Sequence, residues 1–386
     1  MKKLFSVVLI FSLLFATPVL AAPTVELNGK PLAFVEAEPT IENGRTLVPL
    51  RAIFEAVGAT VDWDQDTQTA TANKGSTKVL LSASSNIAEI NGQPKILDVP
   101  AKIVNGRILA PLRFVGEAFG GIVEWSPEAE LISITFLQDQ VHVHFIDVGQ
   151  ADSIYISLPD NNDILIDAGG KKAGPKVVEY LKKQNVDDIE LMIATHPHED
   201  HIGGIPAVLE AYQVKTIIDS GHLTNTATSR NYSEAVASEG AVHNQADYQS
   251  FYFGDIEFKV LTGNNKWNNV NDYSVVTLLD IGNIRFLFMG DAEKAVEDKL
   301  YDVSAEILKV GHHGSSTSTS PDFLDRVTPN VAVISVGEGN SYGHPSPSVI
   351  KRLEDSNISI YRTDIHGDIV VSTDGCSYDI SCHTAE

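Results

Sequence analysis

The sequence predicts an α/β protein: an αβ/βα sandwich whose loops converge on metal ligands at one edge, preceded by a smaller α+β domain built from two tandem repeats. Three observations predict it. Across residues 141–375, apolar strand-like runs alternate with helix-like runs in each half. Residues 24–136 repeat themselves at a constant offset of 62. One strand end, finally, carries three imidazoles and two carboxylates within the six residues from His196 to His201.

The chain opens on Lys2-Lys3, an apolar run over residues 4–16, Pro18, and Val19-Leu20-Ala21 before Ala22-Pro23. This is the layout of a secretory signal peptide over residues 1–21, cleaved after Ala21 or Ala22. The run is short for a membrane span, and no cysteine near Ala21 offers a lipid attachment point. Export to the cell surface or medium is the expectation, with a retained anchor as the alternative.

With 386 residues, 43% of them hydrophobic, the chain can bury more than one core, and two domains are expected. The formal charge of −23 becomes −25 when Lys2 and Lys3 leave, because residues 1–21 hold no acid to offset them. Such a mean field repels polyanions, whose affinity for proteins rests largely on neutralisation by Lys and Arg. Nucleic acid could then bind only through metals and a local basic patch, for which Lys171-Lys172, Lys182-Lys183 and Lys309 are the candidates.

The repeat reads Asn43-Gly44-Arg45-Thr46-Leu47-Val48-Pro49-Leu50-Arg51 through Glu55, Gly58 and Val61-Asp62-Trp63. It returns as Asn105-Gly106-Arg107-Ile108-Leu109-Ala110-Pro111-Leu112-Arg113 through Glu117, Gly120 and Val123-Glu124-Trp125. Each copy predicts strands around an Asn-Gly turn, a short helix with Pro near its start and Gly past its end, and a strand ending in Trp. Arg51 and Glu55, like Arg113 and Glu117, are four apart and can pair across one helical turn. The pattern resembles the copper amine oxidase-like N-terminal domain, or stalk domain, of exported proteins. Residues 24–136 contain no histidine or cysteine, so the resemblance implies no copper here, but a role in holding the protein at the surface or contacting the cell wall.

After a polar junction at Gln138-Asp139-Gln140, Val141-His142-Val143-His144-Phe145 alternates as a strand with both histidines on one face, read as strand residues and not as ligands. The run Ile164-Leu165-Ile166 ends in Asp167 before Gly169-Gly170. Residues 176–183 and 205–212 read as helices flanking the buried strand 189–194. Out of that strand comes Thr195-His196-Pro197-His198-Glu199-Asp200-His201-Ile202-Gly203-Gly204. Held by Pro197, the pair His196 and His198 can point two nitrogens at one cation, while Asp200 and His201 face a second. Histidine and carboxylate ligands without thiolate fit two zinc ions, with manganese the alternative. Cys376 and Cys382 are assigned to neither site. Thr373-Asp374-Gly375 reads as a hairpin turn leading both into one strand, roughly 20 Å apart and beyond disulfide reach, within a C-terminal tail over residues 376–386.

His196-x-His198-x-Asp200-His201 with Gly203-Gly204 resembles the signature loop of the metallo-β-lactamase superfamily. Phe145-Ile146-Asp147-Val148-Gly149-Gln150-Ala151-Asp152, Leu165-Ile166-Asp167-Ala168-Gly169-Gly170, Phe288-Met289-Gly290-Asp291-Ala292-Glu293, Lys309-Val310-Gly311-His312-His313-Gly314-Ser315 and Asn340-Ser341-Tyr342-Gly343-His344-Pro345-Ser346 make it similar to the hydrolase domain of ComEC-type competence proteins, over residues 141–375. The resemblance implies a metallo-β-lactamase sandwich. In it, Asp167 lies beneath the metal loop and hydrogen-bonds to it, and Asp291 bridges both metals through its two oxygens. One of His312 and His313 completes the second metal site, with His312 the first choice, which leaves His313 behind it or on substrate. Asn271 and Ser274 lie on a substrate-side loop. The family's third histidine of the first metal site has no clear counterpart here; His222 is the first choice and His243 the second. Ala151 stands where the ComEC pattern has glycine, which loosens the assignment of Asp152.

The chemistry implied is metal-dependent hydrolysis of a phosphodiester, a nuclease reaction included, with Asp200 at the metals and His344 protonating the leaving alkoxide or contacting phosphate. Wall phosphocholine, a lactam or a lactone are alternative substrates, and a silent surface-binding module is the alternative without turnover. The sequence holds no channel helices with which to transport DNA.

Overall fold

The computed structural model describes residues 24–34, 37–74, 77–126, 131–136, 140–263 and 265–384. The expected signal peptide lies outside the described residues, as does most of the junction at 137–140.

The hydrolase part is two sheets face to face with helices outside. The first sheet runs Val242–Gln245, Val214–Asp219, Ile189–Ala194, Asn162–Ile166, Ile154–Leu158, Val141–Phe145, Asp368–Thr373 and Tyr378–His383. The second runs Gln249–Phe253, Ile256–Val260, Thr277–Ile281, Ile284–Phe288, Ile307–Lys309, Val331–Ile334 and Ser359–Arg362. Strand side chains alternate between faces, so each strand feeds two apolar layers. Leu191, Ile193, Phe286 and Phe288 enter the core between the sheets. Met192 and Ala194 meet Val177, Leu181 and Val208 of helices Gly174–Lys183 and Ile205–Ala211 on one outer face. Leu287 and Met289 meet Phe323, Leu324, Val349 and Leu353 of helices Pro321–Val327 and Pro347–Asp355 on the other. Three apolar layers between four structural layers make the αβ/βα sandwich expected from the sequence.

The central strands are parallel, Asn162–Ile166 with Ile189–Ala194 and Ile284–Phe288 with Ile307–Lys309, so their C-terminal ends share one edge. Asp167, His196, Asp291 and His312 each lie within three residues of one of these ends. His142 and His144 are strand residues, bonded to Ser372 Oγ at 2.8 Å and to the Tyr180 hydroxyl at 2.9 Å, and take no part at that edge.

In the N-terminal domain each repeat forms the expected hairpin, helix and strand: Thr40–Glu42, Arg45–Pro49, Leu50–Ala56 and Thr60–Asp64, then Lys102–Val104, Arg107–Pro111, Leu112–Glu117 and Ile122–Ser126. Asn43-Gly44 and Asn105-Gly106 turn with all four φ angles positive, the conformation a two-residue hairpin needs. The two copies meet antiparallel, Leu109 opposite Pro49 and Pro111 opposite Leu47. Arg51 reaches Glu55 at 3.0 Å and Arg113 reaches Glu117 at 3.9 Å; both pairs are exposed and contribute little to stability.

The sequence boundary at residue 375 needs correction. Residues 376–386 are not a separate tail, because the Asp374 carboxylate accepts from the backbone N–H groups of Cys376 and Ser377 at 2.9 and 3.0 Å. That turn reverses the chain, and Tyr378–His383 adds to the first sheet opposite Asp368–Thr373. Cys376 sits in the turn, two residues before the strand, and its side chain is buried in the core of the N-terminal domain. The turn is one half of the domain junction. Lys74 pairs with Asp374 at 2.9 Å, Thr77 Oγ1 donates to Cys376 O, and Asn283 Nδ2 donates to Glu117 O and Ala118 O at 3.2 and 3.0 Å. A Cβ on Gly120 would lie 2.4 Å from Gly375 O, so only glycine lets the backbones approach there. These turns are at the far ends of the strands from the metal edge. The N-terminal domain therefore docks on the base of the sandwich and leaves the site open.

Both cysteines are free, one buried and one exposed. A thiol reagent is expected to label only Cys382 in the folded protein and both thiols in denaturant. Two fast-reacting thiols before unfolding would contradict the docked turn.

Candidate metal centre

The site is built from four strand ends. Asp167, held at a φ of 56°, turns its carboxylate under the histidine loop. Its Oδ1 accepts from Thr195 N at 2.8 Å, and its Oδ2 accepts from Thr195 Oγ1 at 2.6 Å and from His201 Nδ1 at 2.7 Å. That last bond fixes the tautomer of His201 and sends Nε2 outward, 3.3 Å from Asp291 Oδ1.

His313 is fixed in the same manner from the other sheet. Its Nδ1 donates to Ser335 O at 2.9 Å, and its Nε2 lies 3.4 Å from Asp200 Oδ2 and 3.6 Å from Asp291 Oδ1. Asp200, His201, Asp291 and His313 thus form one ligand group. A second comprises His196, His198 and Asp291. His196 Nε2 is 3.0 Å from His198 Nδ1 and 3.6 Å from Asp291 Oδ2. Asp291 faces one group with each oxygen.

Whether this donor set suits a cation is decided by atoms without partners. His201 Nε2, His313 Nε2 and Asp291 Oδ1 are buried, lack a hydrogen-bond partner and converge on one point. Orphaned buried polar atoms are costly, and a divalent cation would satisfy all three at once. The electrostatics agree. Burial opposes ionisation of Asp291, yet the imidazoles of His201 and His313 outweigh it and hold the carboxyl well below the usual range. Burial also disfavours charge on His313, but Asp291 and Asp152 overcome it and raise the imidazole to about 10, so the proton it carries there would leave as a cation binds. His196, buried beside His201, is held well below its ordinary value and stays neutral, as a metal ligand must. His312 and His313 adopt φ of 48° and 51°, strained backbone of the kind that collects at functional sites.

Several sequence-based assignments change. His313, not His312, enters the ligand group with Asp200 and His201. Successive residues in left-handed conformation send the two rings apart, and His312 Nδ1 pairs instead with Glu293 Oε1 at 3.1 Å. His312 Nε2 lies 3.8 Å from Asp291 Oδ2, the oxygen that faces His196. His222 is not in a ligand group: its ring stacks on Tyr273 with centroids 3.9 Å apart. His243 bonds Asp219 at 2.8 Å. Ser274 is fully buried, and its hydroxyl accepts from Asp291 N at 3.0 Å, so it holds Asp291 and not substrate. Asn271 is buried too and donates to Glu293 Oε1 at 3.2 Å, bracing the partner of His312. His344 stands at the rim, its ring 5.5 Å from that of His312.

Lys309 is corrected as well. It is no surface cation: the ammonium is wholly buried and donates to Asp152 Oδ2 at 2.7 Å and Val310 O at 3.1 Å. Asp152 Oδ1 in turn lies 3.3 Å from His313 Nδ1. Sequence reading missed this pair's role, although a lysine inside the apolar run Ile307-Leu308-Lys309-Val310 was the available signal, since a lysine on a buried strand needs a buried partner. Lys171 and Lys172 are exposed, on the loop where Lys171 N donates to Glu199 Oε1 at 2.8 Å, and remain the surface cations beside the metal loop.

Asp167→Asn keeps the size and the left-handed conformation but presents an amide N–H₂ to groups that need an acceptor. Metal affinity is expected to fall about 10- to 100-fold, measured by competition with a chromophoric chelator; an unchanged affinity would show that His201 needs no such brace.

Residues 146–338, half of the chain, match the family model of the metallo-beta-lactamase superfamily, and residues 26–134 match the copper amine oxidase N-terminal domain. The chain is 29% identical over 256 residues to ComE operon protein 3 of Bacillus subtilis (strain 168), covering 60% of this chain and 33% of that protein. It is 30% identical over 239 residues to Recombination protein 2 of Haemophilus influenzae, covering 60% of this chain and 28% of the relative. The chain spans about a third of the length of these curated relatives. Among solved structures, the metallo-beta-lactamase fold protein YhfI from Bacillus subtilis superposes with a TM-score of 0.43 at 12% identity, over 61% of this chain and 100% of that one.

Proposed function

Because the chain belongs to the metallo-beta-lactamase superfamily, we propose that it is an exported phosphodiesterase with two zinc ions that acts on nucleic acid. The observation that carries this reading is Asp291, one carboxylate presenting separate oxygens to two ligand groups. The relative named for recombination favours a nucleic-acid substrate. Among the described residues no helix is long and apolar enough to cross a membrane. The signal-like segment supports export, and the N-terminal domain, docked away from the metal edge, is free to contact the cell wall.

His196, His198 and Asp291 would hold one ion, and Asp200, His201, Asp291 and His313 the other. Two such ions supply a nucleophile at neutral pH and stabilise charge on attacking and leaving oxygens. The protein's own groups do the rest. Asp167 and Ser335 O orient His201 and His313, while Ser274 and Thr195 hold Asp291 and the histidine loop in register. His344 has a buried Nδ1 without a partner, and burial followed by the nearby His312 lowers its pKa. It is therefore a neutral group at the rim, suited to contacting the phosphate through a hydrogen bond. Lys171 and Lys172 place positive charge beside the same loop.

The test is incubation of the mature protein, with zinc or manganese, with single- and double-stranded DNA beside Asp200→Ala. Cleavage by the parent that disappears in the variant is the expected result. A metal-loaded parent that cleaves neither DNA sinks the nuclease reading and directs the search to small diesters, wall phosphocholine and lactams.

A further inference from the structure

Residues 336–346 form a loop over the metal edge, between the Val331–Ile334 strand and the Pro347–Asp355 helix. The loop is set before any ligand arrives. Asn340 Nδ2 donates to Gly337 O at 2.9 Å and His344 O at 2.6 Å, and its Oδ1 accepts from Tyr342 N and His344 N at 3.2 and 3.1 Å. Gly337 N is tied to Gln150 Oε1 at 3.1 Å on the neighbouring loop.

This arrangement aligns three rings. His344 lies 6.5 Å from His313 at an interplanar angle of 27°, and Tyr342 lies 5.8 Å from His344 at 24°. The planes climb from a residue of the ligand group to the surface. Tyr342 ends the climb with 72% of its surface exposed, a large apolar face in water on a loop already immobilised.

The charge of the chain gives that face a purpose. With 51 acidic and 28 basic side chains, phosphate neutralisation cannot supply most of the affinity for a nucleic acid. Stacking on an aromatic face can, because every base has such a face and the contact carries no charge. We propose that Tyr342 is the platform on which an unpaired nucleobase of the substrate stacks. The inference rests on the phosphodiesterase reading and deepens it: the site prefers single strands, since a paired base stays stacked inside its own duplex.

The experiment compares an oligothymidylate of about a dozen nucleotides, enough to cover one binding site, with an abasic oligomer of the same length and charge. Steady-state kinetics of the zinc-loaded protein, Tyr342→Ala and Tyr342→Phe give KM and kcat for each. The parent is expected to show a KM about tenfold lower for the base-bearing oligomer, a preference that collapses toward unity in Tyr342→Ala and survives in Tyr342→Phe. The change should lie in KM with kcat moved far less, and the preference should persist as salt rises. Equal KM values for the two oligomers in the parent, or a preference retained in Tyr342→Ala, overturn the platform while cleavage itself upholds the phosphodiesterase. Cleavage of neither oligomer by the parent overturns both. An unchanged urea midpoint in Tyr342→Ala excludes misfolding as the cause.

Discussion

Replacing Asp291 by alanine is expected to cut hydrolysis by more than a thousandfold, roughly the several kcal/mol that a metal pair contributes to a transition state. On the proposed two-ion reading it is also expected to lower bound metal from two ions per chain to one or none. Both effects have one cause. Oδ2 faces His196 Nε2 at 3.6 Å, and Oδ1 faces His201 Nε2 at 3.3 Å and His313 Nε2 at 3.6 Å, so the substitution removes the one carboxylate that both groups share. Asp291→Asn separates bridging from simple ligation, because the amide retains one acceptor oxygen but carries no charge. It should keep at most one ion. Metal analysis by mass spectrometry decides, and a stoichiometry near two in Asp291→Asn would remove the bridging assignment.

Lys309→Met is expected to destabilise the metal-free protein by about 3–5 kcal/mol, the usual cost of leaving one member of a buried ion pair without the other. The ammonium is entirely buried and Asp152 nearly so, and burial raises the cost of an ionised Asp152 while Lys309 and His313 overcome it. The double variant Lys309→Met/Asp152→Leu should recover most of that loss in urea unfolding, because no unpaired charge stays in the core. Its metal affinity should nonetheless remain about 10- to 100-fold below the parent, since Asp152 Oδ1 no longer stands 3.3 Å from His313 Nδ1. A double variant as unstable as the single one would show that packing, and not the charge, is what Lys309 supplies.

The parts of the site legible in the sequence are those set by short-range spacing. His196, His198, Asp200 and His201 lie on one turn of chain, so their types and intervals already indicate two cations, and the structure places them in two ligand groups. The repeat is legible for a related reason: the Asn-Gly turns and the Pro and Gly at the helix ends encode backbone angles locally, and these recur as read. What could not be read depends on backbone direction at single residues. His312 and His313 are both imidazoles after the same strand, and only their successive left-handed angles choose His313 for the Asp200 group and give His312 to Glu293. Ser274 and Asn271 look like a polar substrate loop, but the closing of two sheets buries them against Asp291 and Glu293.

Alone, the sequence determined the fold class and the two-domain order and singled out the histidine loop as the candidate ligand group, because hydrophobic alternation, turn chemistry and ligand spacing are properties of neighbours along the chain. The tertiary structure decided which oxygen of Asp291 faces which group, what Lys309 pairs with, and that Cys376 belongs to the core of the other domain. Those are contacts between residues as many as 300 positions apart, such as Lys74 and Asp374. No local pattern encodes them, because they exist only once both sheets have closed and the N-terminal domain has docked on their base.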